Sequence, residues 1–190
     1  MPGNKHEIIP YSEALPLLRI GDKIASRGSG LVATPIIKIG GGEEKWSHIA
    51  TVIRDVYNEG TGRVDLSEAL LIGGVQRNYL NPEYEKAHGI LFWIPMQYNT
   101  AQQYKVMELA ATVRGNKTGY DFKSTLRAWR KMIPLNPDEF NCSELCYYYD
   151  VEVKRVVCRK NKKGQKIAPK PGNYPKWVAA KKIFQFDMSC

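Results

Sequence analysis

The sequence predicts an α+β domain in which an antiparallel β-sheet packs against helices, with a cysteine nucleophile at one helix N-terminus. Three observations carry that expectation. Runs rich in β-branched and aromatic residues, separated by Gly, Asn and Pro breakers, occupy much of residues 22–96. Capped stripes at i, i+3, i+4 spacing dominate residues 100–150. Within that second half, Asn141-Cys142-Ser143-Glu144-Leu145 combines an N-cap residue with an acid three positions on, a variant of the capping box. At 190 residues the chain is long enough for a single domain, 1–190, with a substantial core.

Taken in order, Ser12 predicts the cap of a short helix over 12–18. Asp22–Arg27 reads as a first strand after the turn at Ile20-Gly21. Gly28–Gly42 is a glycine-punctuated loop around the apolar segment Leu31–Ile39; it lacks the strand–GxGxxG–helix order of a nucleotide site. Ser47–Tyr57, Arg63–Ile72 and Ile90–Met96 are strand candidates, the first two joined by a five-residue hairpin loop, Asn58–Gly62. Gly73-Gly74 bends the chain into a short extended segment, Val75–Leu80, and a turn at Asn81-Pro82.

Thr100 with Gln103 predicts a capped helix whose stripe of Val106, Met107, Ala110 and Val113 stops at Gly115. Asp121 predicts the cap of a second helix, with Phe122, Leu126, Trp129 and Ile133 inward. The Cys142 helix follows, burying Leu145, Tyr148 and Tyr149. The last 40 residues read as a short strand (Val151–Val157), a basic turn (Lys160–Lys166), the loop Ala168–Gly172 and an apolar end (Trp177–Phe186).

Charge is unevenly placed. Eleven of the 28 Lys and Arg residues but only two of the 19 acids, Glu152 and Asp187, lie in 151–190, so the net +9 resides there. Such a segment suits an anionic polymer or membrane surface, or forms a solvated face, with Tyr174 and Trp177 interleaved for contact. The N-terminus leads into no apolar signal segment, and no run approaches a membrane span. The expected setting is cytoplasmic with free thiols, and phage- or virus-encoded delivery fits equally.

Cys142 in the first turn of a helix meets unpaired N–H groups and the positive end of the helix dipole, which stabilise a thiolate. A nucleophile of this kind needs a base, and the base an orienting acceptor. His6 lies near the terminus and His88 in a loop before a strand. His48 opens a strand in Trp46-Ser47-His48-Ile49 and is the strongest candidate base. Glu68 stands alone among apolar residues in Ser67-Glu68-Ala69-Leu70, where a carboxylate is costly unless paired with His48 or with an arginine. A tight Asn58–Gly62 hairpin sets His48 across from about residue 72, so contact with Glu68 requires a bulge, a diagonal or strong twist. Cys146, one turn after Cys142, could be drawn with His48 and His88 as a zinc site. Without a CxxC pair, no metal and no cofactor is expected.

These motifs together resemble the circularly permuted branch of the NlpC-type papain-like cysteine hydrolases, the YiiX-like proteins. The matching pieces are Gly21-Asp22-Lys23-Ile24, Trp46-Ser47-His48, Glu68-Ala69 with Gly74-Val75, Gly119-Tyr120-Asp121-Phe122, Asn141-Cys142-Ser143-Glu144-Leu145 and Ala168-Pro169-Lys170-Pro171, in that order. Histidine before cysteine is the order that the permutation produces. The resemblance implies a permuted papain-like fold and acyl transfer through a thioester. Cys142 is then nucleophile, His48 base and Glu68 orienter, with helix-start N–H groups near Ser143 as oxyanion or substrate contacts; the Tyr120 phenol could add a donor there, with core packing the stronger reading for that ring. Three function classes follow: hydrolysis of a peptide or peptidoglycan-type amide, acyl transfer or lipid hydrolysis at the same site, and non-catalytic binding of an anionic polymer through 151–190.

Overall fold

The computed structural model describes residues 6–28, 44–55, 63–70, 72–116, 118–120, 133–134 and 139–188. The chain runs through β1 (Glu7–Pro10), α1 (Tyr11–Ala14), β2 (Lys23–Arg27), β3 (His48–Arg54), β4 (Val64–Leu70) and β5 (Gly74–Leu80). It continues through α2 (Pro82–His88), β6 (Ile90–Ile94), α3 (Thr100–Gly115), β7 (Gly119–Tyr120), β8 (Ile133–Pro134), β9 (Glu139–Phe140) and α4 (Cys142–Glu152). Last come β10 (Arg159–Lys160), β11 (Lys166–Ala168), α5 (Tyr174–Trp177) and β12 (Phe184–Asp187).

Seven strands form one sheet in the order β1-β12-β6-β2-β3-β4-β5, antiparallel throughout except where β1 pairs with β12. The architecture is α+β, and both sheet faces are covered. On one, Ala25, Ile49, Ala69, Phe92 and Ile94 pack with Val106 and Ala110 of α3 and Leu145 and Tyr149 of α4. On the other, Ile24, Ala50, Val52, Leu66, Leu91 and Trp93 pack with Ala14, Leu18, Tyr84 and Phe186. Burial on both faces explains why the central strands read as nearly continuous apolar runs.

A buried ion pair ties α4 to the sheet. Lys23 Nζ lies 2.9 Å from Asp150 Oδ1, and both side chains are fully buried. The Tyr98 and Tyr174 hydroxyls also donate to Asp150, and Lys23 donates to Thr51 Oγ1 at 3.2 Å. Burial raises the Asp150 carboxyl, and Lys23, the Tyr98 hydroxyl and the Arg155 charge oppose that rise.

Several expected elements differ. The Val151–Val157 strand does not form: α4 runs on to Glu152, its last turn held by Asp150, and the chain turns at Lys154 with φ 57°. Asn81-Pro82 is no simple turn but the N-cap and first residue of α2, with the Asn81 side chain accepting from Tyr84 N at 2.8 Å. His88 therefore ends a helix instead of lying in a loop. Ser12 lies inside α1, whose N-cap position is Pro10, and Pro16 turns the next residues into a 3-10 helix, Leu15–Leu17. Asn99 with Gln102, not Thr100 with Gln103, forms the capping box of α3. His6 is paired, its Nε2 lying 3.1 Å from Glu44 Oε2.

The segment Val75–Leu80 is a full strand in a tight hairpin with β4, from Leu70↔Gly74 to Val64↔Leu80. A Cβ on Gly74 would meet Thr118 O at 2.4 Å, and its φ of +66° also favours glycine. The Leu31–Ile39 segment, the Asn58–Gly62 loop, the Asp121 cap with Phe122, Leu126 and Trp129, and Cys190 lie outside the described residues.

The C-terminal segment is part of the core as well as basic. Tyr174 is fully buried with its hydroxyl on Asp150, so it is not free to meet a partner as its place among the lysines suggested. Trp177 is half-buried between Tyr147 and the Arg159 guanidinium. Lys160, Lys162, Lys163 and Lys166 are exposed around the β10–β11 hairpin. Among the described residues, no helix is long and apolar enough to cross a membrane.

Candidate functional site

The start of α4 is fixed by its own sequence. Asn141 Oδ1 accepts from Ser143 N at 3.1 Å and Glu144 N at 3.0 Å, while Glu144 Oε2 accepts from Asn141 N at 2.8 Å. This reciprocal box holds Cys142 as the first helical residue, 6% exposed. The Ser143 hydroxyl donates to Asn141 Oδ1 at 3.0 Å, so that side chain belongs to the cap. The helix-start N–H that this cap does not take up is that of Cys142.

His48 is the first residue of β3, at the end of the ladder and beside the start of α4. Its Nε2 lies 2.7 Å from Glu68 Oε2, and the Cys142 side chain is near enough to act on the charge of the ring. Burial favours the neutral ring, yet the Cys142 and Glu68 contacts outweigh it and raise His48 to about 10. The structure thus brings Cys142, His48 and Glu68 into one interacting group, with His48 hydrogen-bonded to Glu68.

The contact between His48 and Glu68 is diagonal. Thr51 pairs with Ser67 and Val52 with Leu66, a register that sets Glu68 across from Ala50 and His48 across from Leu70. A bulge at Ile53, between Val52 and Arg54, moves the ladder by one step. Ser67 meets Tyr149 of α4 at 2.9 Å, so Glu68, next along the strand, points to the opposite sheet face. There it is fully buried. Asn78 Nδ2 of β5 donates to Oε1 at 2.7 Å, and the Tyr84 hydroxyl of α2 donates to Oε2 at 2.7 Å. Burial alone would push Glu68 up, but the bonds to His48, Asn78 and Tyr84 bring it down to about 2.

A ring stack completes this side. His88 lies 4.1 Å from the Tyr84 ring and 5.1 Å from the His48 ring, centroid to centroid. Burial and the neighbouring His48 charge push His88 down to about 4, so a neutral ring lies against a charged one at neutral pH. Asn78 and Tyr84 escape the sequence reading, and His88, expected in a loop, stacks between Tyr84 and His48. The available signal was the Asn81-Pro82 helix start, which places Tyr84 and His88 four residues apart on one helical face.

Tyr120 pairs with Phe140 in the short parallel β7–β9 ladder, its ring half-buried against the core cluster that includes Cys142. Cys146 is buried and accepts from Thr51 Oγ1 at 3.2 Å, and burial pushes its thiol up to about 12. The two helix cysteines, one turn apart, therefore occupy different chemical surroundings. No group of three or more potential metal ligands occurs among the described residues.

In comparisons with known proteins, no family model matches the chain and no curated protein matches it. The chemistry of the group rests on its geometry.

Proposed function

We propose that the chain is a cysteine hydrolase of the permuted NlpC-type papain-like fold, cleaving a peptide or peptidoglycan-type amide through a thioester. The observation that carries this reading is a single imidazole that hydrogen-bonds a buried carboxylate and interacts with Cys142 at a capped helix start. A structural thiol in a core has no need of a charged histidine, nor that histidine of a carboxylate held by two further donors. The antiparallel sheet with the cysteine helix packed on it, histidine first and cysteine last, supports the permuted fold.

In this mechanism Nε2 of His48 serves Glu68, and Nδ1 serves the sulfur. The Cys142 thiolate attacks the substrate carbonyl carbon, and the Cys142 N–H supports the oxyanion. The imidazolium gives its proton to the leaving amine as the C–N bond breaks, leaving a thioester on Cys142. The neutral ring then takes a proton from water, whose hydroxide adds to the thioester carbonyl; collapse releases the acid and returns the thiolate. Glu68 stays ionised throughout and holds the ring in place. Oxyanion or substrate contact by Tyr120 is part of the proposal, as is an anionic polymer or membrane surface met by the lysines of 151–190.

Turnover of small peptide amides, with matching esters and thioesters alongside, tests the reading. Cys142→Ala should abolish it, and His48→Ala should lower it on the order of 10²–10⁴-fold. Turnover of esters or thioesters without amides would shift the assignment to the acyl-transfer or lipid class. Amide turnover unchanged in Cys142→Ala would overturn the proposal.

A further inference from the structure

Asp65, fully buried on β4, has three arginines against its carboxylate. Arg54 Nε lies 3.3 Å from its Oδ2, Arg63 Nε lies 3.3 Å from its Oδ1, and Arg77 Nη2 donates to Oδ2.

The arrangement is poorly explained by the needs of Asp65. One guanidinium neutralises one carboxylate, and a bidentate fork does so best. Here three guanidinium groups converge on the one carboxylate, and Arg77 Nε is buried without a hydrogen-bond partner. Burial and the charges of Arg54, Arg114 and Arg63 together lower the Arg77 guanidinium, which is the cost of crowding like charges. Arg63 is held in addition by the Tyr79 ring, 4.0 Å below its guanidinium carbon. The side chains of Arg54, Arg63 and Arg77 are 20%, 45% and 26% exposed, so the cluster opens to solvent. Planar forks around a shared centre suit the oxygens of a tetrahedral anion, which would relieve the mutual repulsion.

We propose that Arg54, Arg63 and Arg77, set around Asp65, form a binding site for a phosphate group. Arg54 ends the strand that His48 begins, so the site lies about 20 Å along β3 from the Cys142 group, at roughly 3.3 Å per residue. It therefore goes beyond the hydrolase reading and does not depend on it. The same chemistry is offered by a soluble phosphomonoester and by the headgroup of an anionic phospholipid.

The test is a titration of the full chain with inorganic phosphate at constant ionic strength, following the arginine Nε–Hε signals by NMR. Saturable shifts should appear at Arg63 and Arg77. Affinity should fall about tenfold in the double variant Arg54→Gln, Arg63→Gln, which leaves Arg77 to neutralise Asp65. Arg77→Lys, retaining charge without the fork, should weaken binding as well. Retention on phosphatidic acid vesicles that free phosphate competes away would assign the lipid source. Phosphate binding without vesicle retention would assign the soluble one. Equal shifts with chloride at matched ionic strength, or unchanged affinity in the double variant, would overturn the site.

Discussion

Replacing Glu68 with glutamine keeps the side chain's shape and removes the charge that lies 2.7 Å from His48 Nε2. An opposite charge at such range moves a titrating group by about 1–3 pH units, so His48 should fall from its raised value near 10 by that amount. The raised imidazole contributes stability that is complete below its ordinary value of 6.5 and lost as pH rises through about 10. The depressed Glu68 contributes stability that is complete above 4.5 and lost as pH falls through about 2. Both contributions are whole between 4.5 and 6.5, where the pair counts once because it is one interaction. At ~1.4 kcal/mol per unit, Glu68→Gln should cost ~1–4 kcal/mol at pH 6 and less near pH 10. A further cost of about 1–3 kcal/mol, independent of pH, arises because one amide oxygen replaces two carboxylate oxygens facing His48, Asn78 and Tyr84. NMR titration of the His48 ring and urea unfolding at the two pH values measure these terms. A wild-type His48 titrating near 6.5, or the same titration in both proteins, would refute the reasoning.

Two other perturbations probe the scaffold and the basic face. Lys23→Met strands Asp150 in the core with only the two tyrosine hydroxyls and the Arg155 charge nearby, and should cost ~3–5 kcal/mol in urea unfolding. A cost below about 1 kcal/mol would mean that the pair does not anchor α4. Changing Lys160, Lys162, Lys163 and Lys166 to glutamine should weaken salt-sensitive binding to anionic vesicles and leave turnover of a small uncharged amide unchanged. Affinity with no salt dependence in the wild type would make these lysines a solvated face.

The parts of the fold legible in the sequence are those fixed by local patterning. β2, β3, β4 and β6 announce themselves through apolar runs because both sheet faces are buried, and α4 through its reciprocal cap. β5 is less visible because Gln76, Arg77 and Asn78 interrupt the apolar pattern; Asn78 and Arg77 face the charged partners Glu68 and Asp65. Asn81-Pro82 suits a turn and a helix start equally, which hides α2, and with it Tyr84 and the helical placement of His88. The β-branched run after Asp150 favours a strand locally, but the tertiary hold on Asp150 keeps its first residues helical. The parallel pairing of β1 with β12 joins the two ends of the chain and leaves no local mark. Cys142, His48 and Glu68 stood out because each is chemically unusual where it sits. Asn78 is an ordinary polar residue in an ordinary place, and only the folded contact gives it a role.

The central claim, a nucleophile at Cys142 activated by His48, is tested most directly by mapping the adduct of a cysteine-directed acylating probe at limiting concentration. The account predicts a single early adduct on Cys142, strongly slowed in His48→Ala, with Cys146 unlabelled behind its buried environment. Labelling of Cys158 or Cys190 ahead of a protected Cys142, or a Cys142 rate indifferent to the loss of His48, would contradict it.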